Sequence, residues 1–392
     1  MEKNTDVDGI VPTNGTNPII SVGLIIDASE KSIDKWATQV KKFFELELAI
    51  EFPQFSWCIN IIERHDFPKQ IPRDPLVLLE FGSDLKIEYG FDFVLVLTCM
   101  PLKSRFEQGI NAVPSSMLET AVVSFAKLAE EKNKDVARNA VISLLKHVLG
   151  HIWGLDHNEE TVMKPRKFWS TKGPTDWNEK ERKKVADFLK EVADPRLEET
   201  DKAARNVWHF YMQVIMHEVD TLIKDIFSGR SLLMMFHLGR FIAATAVSIT
   251  FLFLSAEAWE IGAAIRSAWL DLVLLIVIIF ATLSLYYGQN FHKLSRSDKM
   301  MEQAVRSRIV LFGTLLVGMF AFWTSLFLIS CIIIYLLPDK VISGWAGLEN
   351  ETLSAIHYGK LMATFGILAS AVGGNLEQEH DIKAVLVFTE ET

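Results

Sequence analysis

The amino-acid sequence predicts an α/β (α+β) domain in the first half of the chain, followed by an all-α transmembrane region of three to four helices. Two observations carry this prediction. Apolar residues make up 49% of the 392 residues and charged residues 23%, an average that fits a globular protein. The long apolar runs, however, are confined to roughly the last 160 residues, where several reach the length needed to cross a bilayer. Ahead of them, short β-branched runs alternate with segments of helical periodicity, the pattern of strands separated by helices. The length allows two domains.

Residues 1–17 are polar and punctuated by Gly9, Pro12 and Gly15, and read as a disordered lead-in. They do not read as a signal peptide: Glu2, Asp6 and Asp8 face a single Lys3, and the apolar run 19–26 is short and ends at Asp27. That run is a buried-strand candidate. Ser29 or Ser32 could cap the next helix, in which Ile33, Trp36, Val40, Phe43 and Phe44 recur at helical spacing. Residues 56–62 alternate as a second strand, and 91–97 are apolar almost throughout, as in a central strand. Residues 120–125 fit either another strand or the start of a helix. A helix is expected over 135–153, with Asp135 as its cap and Val136, Ala140, Leu144, Val148 and Ile152 on its apolar side. Loop composition follows over 166–178, then a charged helix over 179–192. The domain is placed at 18–198. A long amphipathic helix is expected over 200–227, carrying Val207, Phe210, Tyr211, Val214, Val219, Leu222 and Ile226. As a linker (199–230) it would pack on its own domain, or act as a stalk or dimer-forming helix. The last arrangement would make the protein a homo-oligomer. His209 and His217 on it read as surface residues.

Chemistry concentrates in the stretch His147-Val-Leu-Gly-His151-Ile-Trp-Gly154-Leu-Asp-His157, with Met163 shortly after. Histidines four apart on a helix share one face and can hold one metal ion. Gly154 can take the left-handed backbone that ends the helix. A third histidine after the turn can complete a three-nitrogen Zn2+ site with a position left open. The run resembles the zinc signature of the metzincin metallopeptidases, H-E-x-x-H-x-x-G-x-x-H, in a matrixin-like or archaemetzincin-like domain. The resemblance implies a metzincin-like fold over about 18–195, with His147, His151 and His157 as zinc ligands and Met163 as the Met-turn beneath them. It also implies a cleft for a peptide or protein partner. One departure is decisive. The glutamate that follows the first histidine, which in that family takes a proton from the attacking water and later passes it on, is Val148 here. No catalytic residue is therefore assigned. Glu159 and Glu160 are the nearest carboxylates in sequence, past the third histidine.

The transmembrane region is placed at 231–376, with spans at about 241–258, 268–288, 309–337 and 357–374, and a C-terminal tail over 377–392. A fourth span that begins near Ala355 must accommodate Lys360. Basic residues set the orientation. Lys293, Arg296, Lys299, Arg306 and Arg308 lie between the second and third spans, against Arg266 alone between the first two. The expectation is a multi-pass protein of the inner or plasma membrane, in contact with lipid, whose N-terminal domain is cytoplasmic. Gly313, Gly318 and Ala321 would let helices approach closely.

The net charge of −9 argues against a nucleic-acid partner. Cys58, Cys99 and Cys331 form neither a metal spacing nor a disulfide framework. The function expected first is a membrane-anchored, zinc-binding domain of peptidase descent, with lost or reduced proteolysis, that binds peptides or proteins. Two alternatives stand beside it: an active zinc peptidase that uses another base, and a channel or bilayer effector with the soluble domain as its sensor.

Overall fold

The computed structural model describes residues 17–104, 110–128, 133–165, 174–193, 206–227, 234–294, 301–346, 355–374 and 379–389. The lead-in 1–16, most of the 166–178 loop and the first residues of the linker lie outside them. The chain divides into two compact units, 1–200 with 389–392, and 201–388.

The first unit is built on a five-stranded sheet of β1 (Ile19–Asp27), β2 (Ser56–Arg64), β3 (Phe93–Thr98), β4 (Ala112–Ser115) and β5 (Thr120–Ser124). Their order is β2-β1-β3-β5-β4. All neighbours are parallel except β4, which runs antiparallel to β5 at one edge. The region 120–125 is thus a strand. The third strand begins two residues later than expected, because Gly90, at φ 70°, ends the preceding helix and Phe91 and Asp92 serve as the connection. Asp92 anchors that connection by accepting from the Ser21 backbone N–H at 2.7 Å and its hydroxyl at 2.8 Å.

Parallel strands require helices on the faces of the sheet. Helix α1 (Ile33–Lys42) continues through a π-helical stretch, Phe43–Leu48, and a closing turn, Ala49–Glu51. Neither expected serine caps it by its side chain. Ser32 occupies the cap position without a side-chain bond, and Ser29 donates instead to Asp27 Oδ1 at 2.6 Å. Helix α2 (Pro75–Tyr89) lies in a region assigned no element from the sequence. Its start is nonetheless well formed, since the Asp74 side chain accepts from Leu76 N–H and Pro75 opens the first turn. Helices α3 (Lys134–Ile152) and α4 (Glu179–Val192) complete the unit. The cap of α3 is Asn133, not Asp135: Asn133 Oδ1 accepts from Val136 N–H at 3.4 Å and its carbonyl accepts from Ala137 N–H at 3.0 Å.

Alternate side chains of each strand serve different layers. Phe93, Leu95 and Leu97 of β3 share one core with Ile20, Val22, Leu24 and Ile26 of β1 and with α1, α3 and α4. Val94 and Val96 point the other way, toward α2, where a Cβ at Gly82 would lie 2.6 Å from Val96 Cγ2. Helix α3 therefore runs under the sheet with nearly every residue from Ala140 to Trp153 buried, a wider buried surface than the expected single stripe.

The second unit is helical. The expected linker helix is two helices, α5 (Val207–His217) and α6 (Val219–Ile226), broken at Glu218 with φ −118° and ψ 27°. The first expected span is likewise broken. Helices α7 (Gly239–Leu254) and α8 (Ala256–Ala264) meet at 79° about Ser255, whose hydroxyl donates to Glu257 Oε2 at 2.7 Å. The indole N–H of Trp259 donates to the freed Phe253 carbonyl at 3.1 Å, a satisfaction that apolar surroundings require. Helices α9 (Ser267–Gly288), α10 (Glu302–Leu336) and α12 (Ala355–Gly374) are long and apolar enough to cross a membrane. The bent pair makes a fourth if counted as one span. Short α11 (Asp339–Ala346) and α13 (Glu379–Val387) follow α10 and α12, so part of the C-terminal tail is helical. Helix α10 has 35 residues, about 52 Å, and takes in Arg306 and Arg308, which the sequence had placed in a loop. Lys360 of α12 pairs with Asp271 of α9 at 2.7 Å, so its charge is answered inside the unit.

Candidate metal centre

The C-terminal half of α3 positions the first two histidines. His147 is fully buried and His151 is 4% exposed, one turn apart on the same face. The helix then ends in a Schellman turn: Gly154 N–H donates to His151 O at 3.1 Å and Leu155 N–H to Gly150 O at 2.8 Å. That turn needs a left-handed residue, and Gly154 supplies it at φ 74°. It returns the chain so that the Leu155 carbonyl accepts from His151 Nδ1 at 3.1 Å. The following loop brings exposed His157 to the same place and lays the Val162 carbonyl 2.8 Å from His147 Nδ1.

One ring nitrogen from each of His147, His151 and His157 lies within 4.8 Å of the others, an arrangement that can hold a metal ion. The protons on the rings follow from the partners. A carbonyl oxygen only accepts, so Nδ1 carries the hydrogen in both His147 and His151, and each Nε2 presents a lone pair. Those two Nε2 atoms are 3.1 Å apart. Lone pairs at that distance repel unless a cation, a metal ion or a shared proton, sits against both. Tetrahedral ligands at about 2.0–2.1 Å from zinc lie about 3.3–3.4 Å from one another, close to the spacing found. The donor set and its backbone supports fit a zinc-type ion.

Met163 is fully buried. A Cβ on Gly150, the residue before His151, would lie 2.4 Å from its sulfur, so the methionine packs tightly on α3 beside the histidines. Val148 is fully buried in the apolar core with Leu144, Leu145, Leu149 and Ile152. The position after the first histidine therefore carries no proton-accepting group. Glu159 is exposed and pairs with Lys164 at 2.8 Å, and Glu160 is exposed.

Two supports escaped sequence reasoning. Glu181, 9% exposed, accepts from Asn158 Nδ2 at 2.7 Å and Thr161 Oγ1 at 3.0 Å while forming a reciprocal capping box with Asn178. It ties the histidine loop to the start of α4. The Asn178-x-x-Glu181 spacing was the available signal. Lys146, next to His147 and 5% exposed, pairs with Glu51 Oε2 at 3.0 Å and with Asp176. The hydrogen bond from Lys146 holds the Asp176 carboxyl below its ordinary pKa, against an opposing push from burial. A second charged group, at Asp27, sits at the carboxyl end of β1. Burial pushes its pKa up, but hydrogen bonds from Ser29 and from Arg73, at 2.8 Å, bring the net value down. A further group in the helical unit, His217, Glu218 and Glu302, has ligand-type atoms within 4.8 Å. There Arg306 Nε already lies 3.2 Å from Glu218 Oε2.

No family model matches the chain, and no curated protein matches it. Among solved structures it is similar to an archaemetzincin from Methanopyrus kandleri, at 20% identity, over 46% of this chain and 99% of that one, with a TM-score of 0.37. It is also similar to an archaemetzincin from Archaeoglobus fulgidus, at 13% identity, over 42% and 99%, with a TM-score of 0.33. A zinc-dependent peptidase from Methanocorpusculum labreanum matches at 15% identity, over 42% and 99%, with a TM-score of 0.32.

Proposed function

We propose that the first unit is a zinc-binding domain of metallopeptidase descent whose hydrolytic activity is lost or much reduced. It is held on a multi-span membrane anchor with its face to the cytosol, and its work is to bind an extended peptide or protein segment. The observation that carries this reading is the pairing of three convergent imidazoles with a fully buried Val148. His147 and His151 would hold the ion through the Nε2 atoms that their backbone contacts leave free of hydrogen, and His157 would offer the third ring nitrogen. A zinc ion there would supply Lewis acidity. The protein's own residues supply orientation. Val162 and Leu155 carbonyls fix the two buried rings, Glu181 holds the loop that carries the third, and Val148 keeps the adjoining wall dry. A positioned general base is worth roughly 10²–10⁴ in rate, and this chain forgoes it at that position.

Strand β4, the antiparallel edge of the sheet, has all four residues buried, so that edge is covered and the binding role rests on the histidine site. Thr389, which belongs to the same unit, already bonds to that edge. Its N–H donates to the Pro114 carbonyl at 2.9 Å and its hydroxyl accepts from Ser116 N–H at 2.9 Å.

The test compares the full chain in detergent with a Val148→Glu variant. Expected are about one zinc per chain in both, no peptide cleavage by the natural sequence, and cleavage gained by the variant. Cleavage by the natural sequence at the variant's rate would overturn the loss of activity. Absence of zinc from the natural chain would overturn the ligand assignment.

A further inference from the structure

The face of α5 and α6 that packs within the helical unit is not their most apolar face. Phe210, Val214 and Leu222 are buried. On the other side of α5 Trp208, Met212 and Met216, spaced four apart, and alongside the packed face of α6 Val219, Ile223 and Phe227, spaced four apart along that helix and its C-cap, are all exposed. Trp208 is 81% exposed and Met216 77%. A row of large apolar side chains along two successive helices is more than scattered surface hydrophobes, and it needs a medium or a partner.

The placement of α6 on α10 identifies the medium. A Cβ at Gly313 of α10 would lie 2.5 Å from Ile226 Cδ1, so the end of α6 rests directly on that glycine. The last charged residue before the apolar run of α10 is Arg308, and Gly313 lies five residues (313 − 308) beyond it, about 7.5 Å along the helix. The polar contacts between these elements all fall on the charged side of that level. Arg306 bonds Asp225 at 3.0 Å and lies 3.2 Å from Glu218, and Arg308 Nη1 approaches the Tyr211 hydroxyl at 3.4 Å. The helix pair therefore lies where the charged collar of a span gives way to its apolar run. In a membrane span, that level is where headgroups meet the first acyl carbons. The stripe has the composition such a layer favours: an indole, flexible methionines, branched aliphatics and an adjacent exposed Lys224 able to reach the headgroups.

We propose that α5 and α6 lie in the interfacial layer of the bilayer, with the Trp208-to-Phe227 stripe against lipid acyl chains. The pair is then a monotopic collar around the entry of α10 and not a stalk standing free of the membrane. This rests on α10 being a membrane span.

The experiment places p-benzoylphenylalanine at Met212, Met216 and, as control, exposed Asp220, one site per variant, in the full chain reconstituted in phosphatidylcholine–phosphatidylglycerol vesicles. After irradiation, adducts are identified by mass. Met212 and Met216 are exposed, so the larger side chain meets no packing there. Phospholipid adducts several-fold more abundant at 212 and 216 than at 220 are expected. Crosslinks to a second copy of the chain at 212 and 216 in place of lipid would overturn the proposal, as would equal lipid adducts at all three sites. Alkaline carbonate extraction separates the two levels of failure. A chain that stays in the vesicles without lipid adducts at the stripe sinks the collar alone, whereas a chain released by carbonate sinks the spanning reading beneath it.

Discussion

Replacing His151 and His157 separately by alanine resolves the metal's contribution from the fold's own. The two residues offer one nitrogen each to the same site but are held differently. His151 is 4% exposed and its Nδ1–H serves the Leu155 carbonyl at 3.1 Å, whereas His157 is exposed. At free zinc about a thousandfold above the dissociation constant, binding to the folded state stabilises it by about 4 kcal/mol. Either substitution should remove most of that increment. His151→Ala should also cost about 1–3 kcal/mol in the metal-free protein, because it leaves a buried carbonyl without its donor. The assay is hydrogen exchange across Lys134–Ile152 in the full chain, with zinc and with chelator. Four states follow. The natural chain loses about 4 kcal/mol of protection on chelation. His157→Ala matches the chelated natural chain in both conditions. His151→Ala falls below that level in both conditions. A His157→Ala chain that keeps the whole zinc increment, or a natural chain indifferent to chelator, would refute the three-histidine site.

Two further outcomes test the supports. Gly154→Ala meets no neighbour within 4 Å, so its cost is that of a left-handed backbone at φ 74°, about 1–2 kcal/mol. A melt should show it in chelated protein, with Gly154→Asn less affected because asparagine adopts that conformation more readily. Asp176 concerns pH. Its carboxyl is held below the ordinary aspartate value by the Lys146 hydrogen bond, so its contribution is complete above that ordinary value and is lost as pH falls through the lower folded-state pKa. Asp176→Asn should flatten that acid limb of the unfolding profile while leaving the neutral region level, and an unchanged acid limb would contradict the assignment.

The legible parts of the sequence were those in which local pattern and global role coincide. Ile19–Asp27 and Phe93–Thr98 lie in the sheet interior with both faces covered, and their continuous apolar runs say so. The histidine run was legible because a helix, a left-handed glycine and a return of the chain are all local events. Helix α2 was missed because it is apolar around most of its girth, without the one-sided stripe that marks a helix, although Asp74, Pro75 and Gly90 punctuate it. Strand β4 was missed because four residues that include Pro114 carry little β signal, and only pairing with β5 makes them a strand. The breaks at Glu218 and Ser255 contain neither proline nor glycine. The first is held by a tertiary partner, Arg306, which no local window contains, and the second by Trp259, only six residues from the carbonyl it bonds.

Three histidines that converge beside a buried valine have a physical rationale that needs no hydrolysis. Beyond Gly154 the chain from Leu155 to Lys164 has no regular secondary structure, and it is ordered by buried Leu155, Val162 and Met163 and by contacts that include Asn158 N–H to the Met163 carbonyl at 3.3 Å, Val162 N–H to the Asp176 carbonyl at 3.1 Å, and the two bonds to Glu181. An ion held by His147, His151 and His157 would add to the backbone bonds at His147 and His151 a tie from exposed His157 to α3. Metal-binding energy at a site absent from the unfolded chain is folding energy. A glutamate at position 148 would add nothing to that term, and in a fully buried apolar setting its charge would have to be desolvated. Valine there preserves the core that supports the ligands. Under the proposed function, the structural and catalytic demands on the site separate at one residue, and Val148 serves the first.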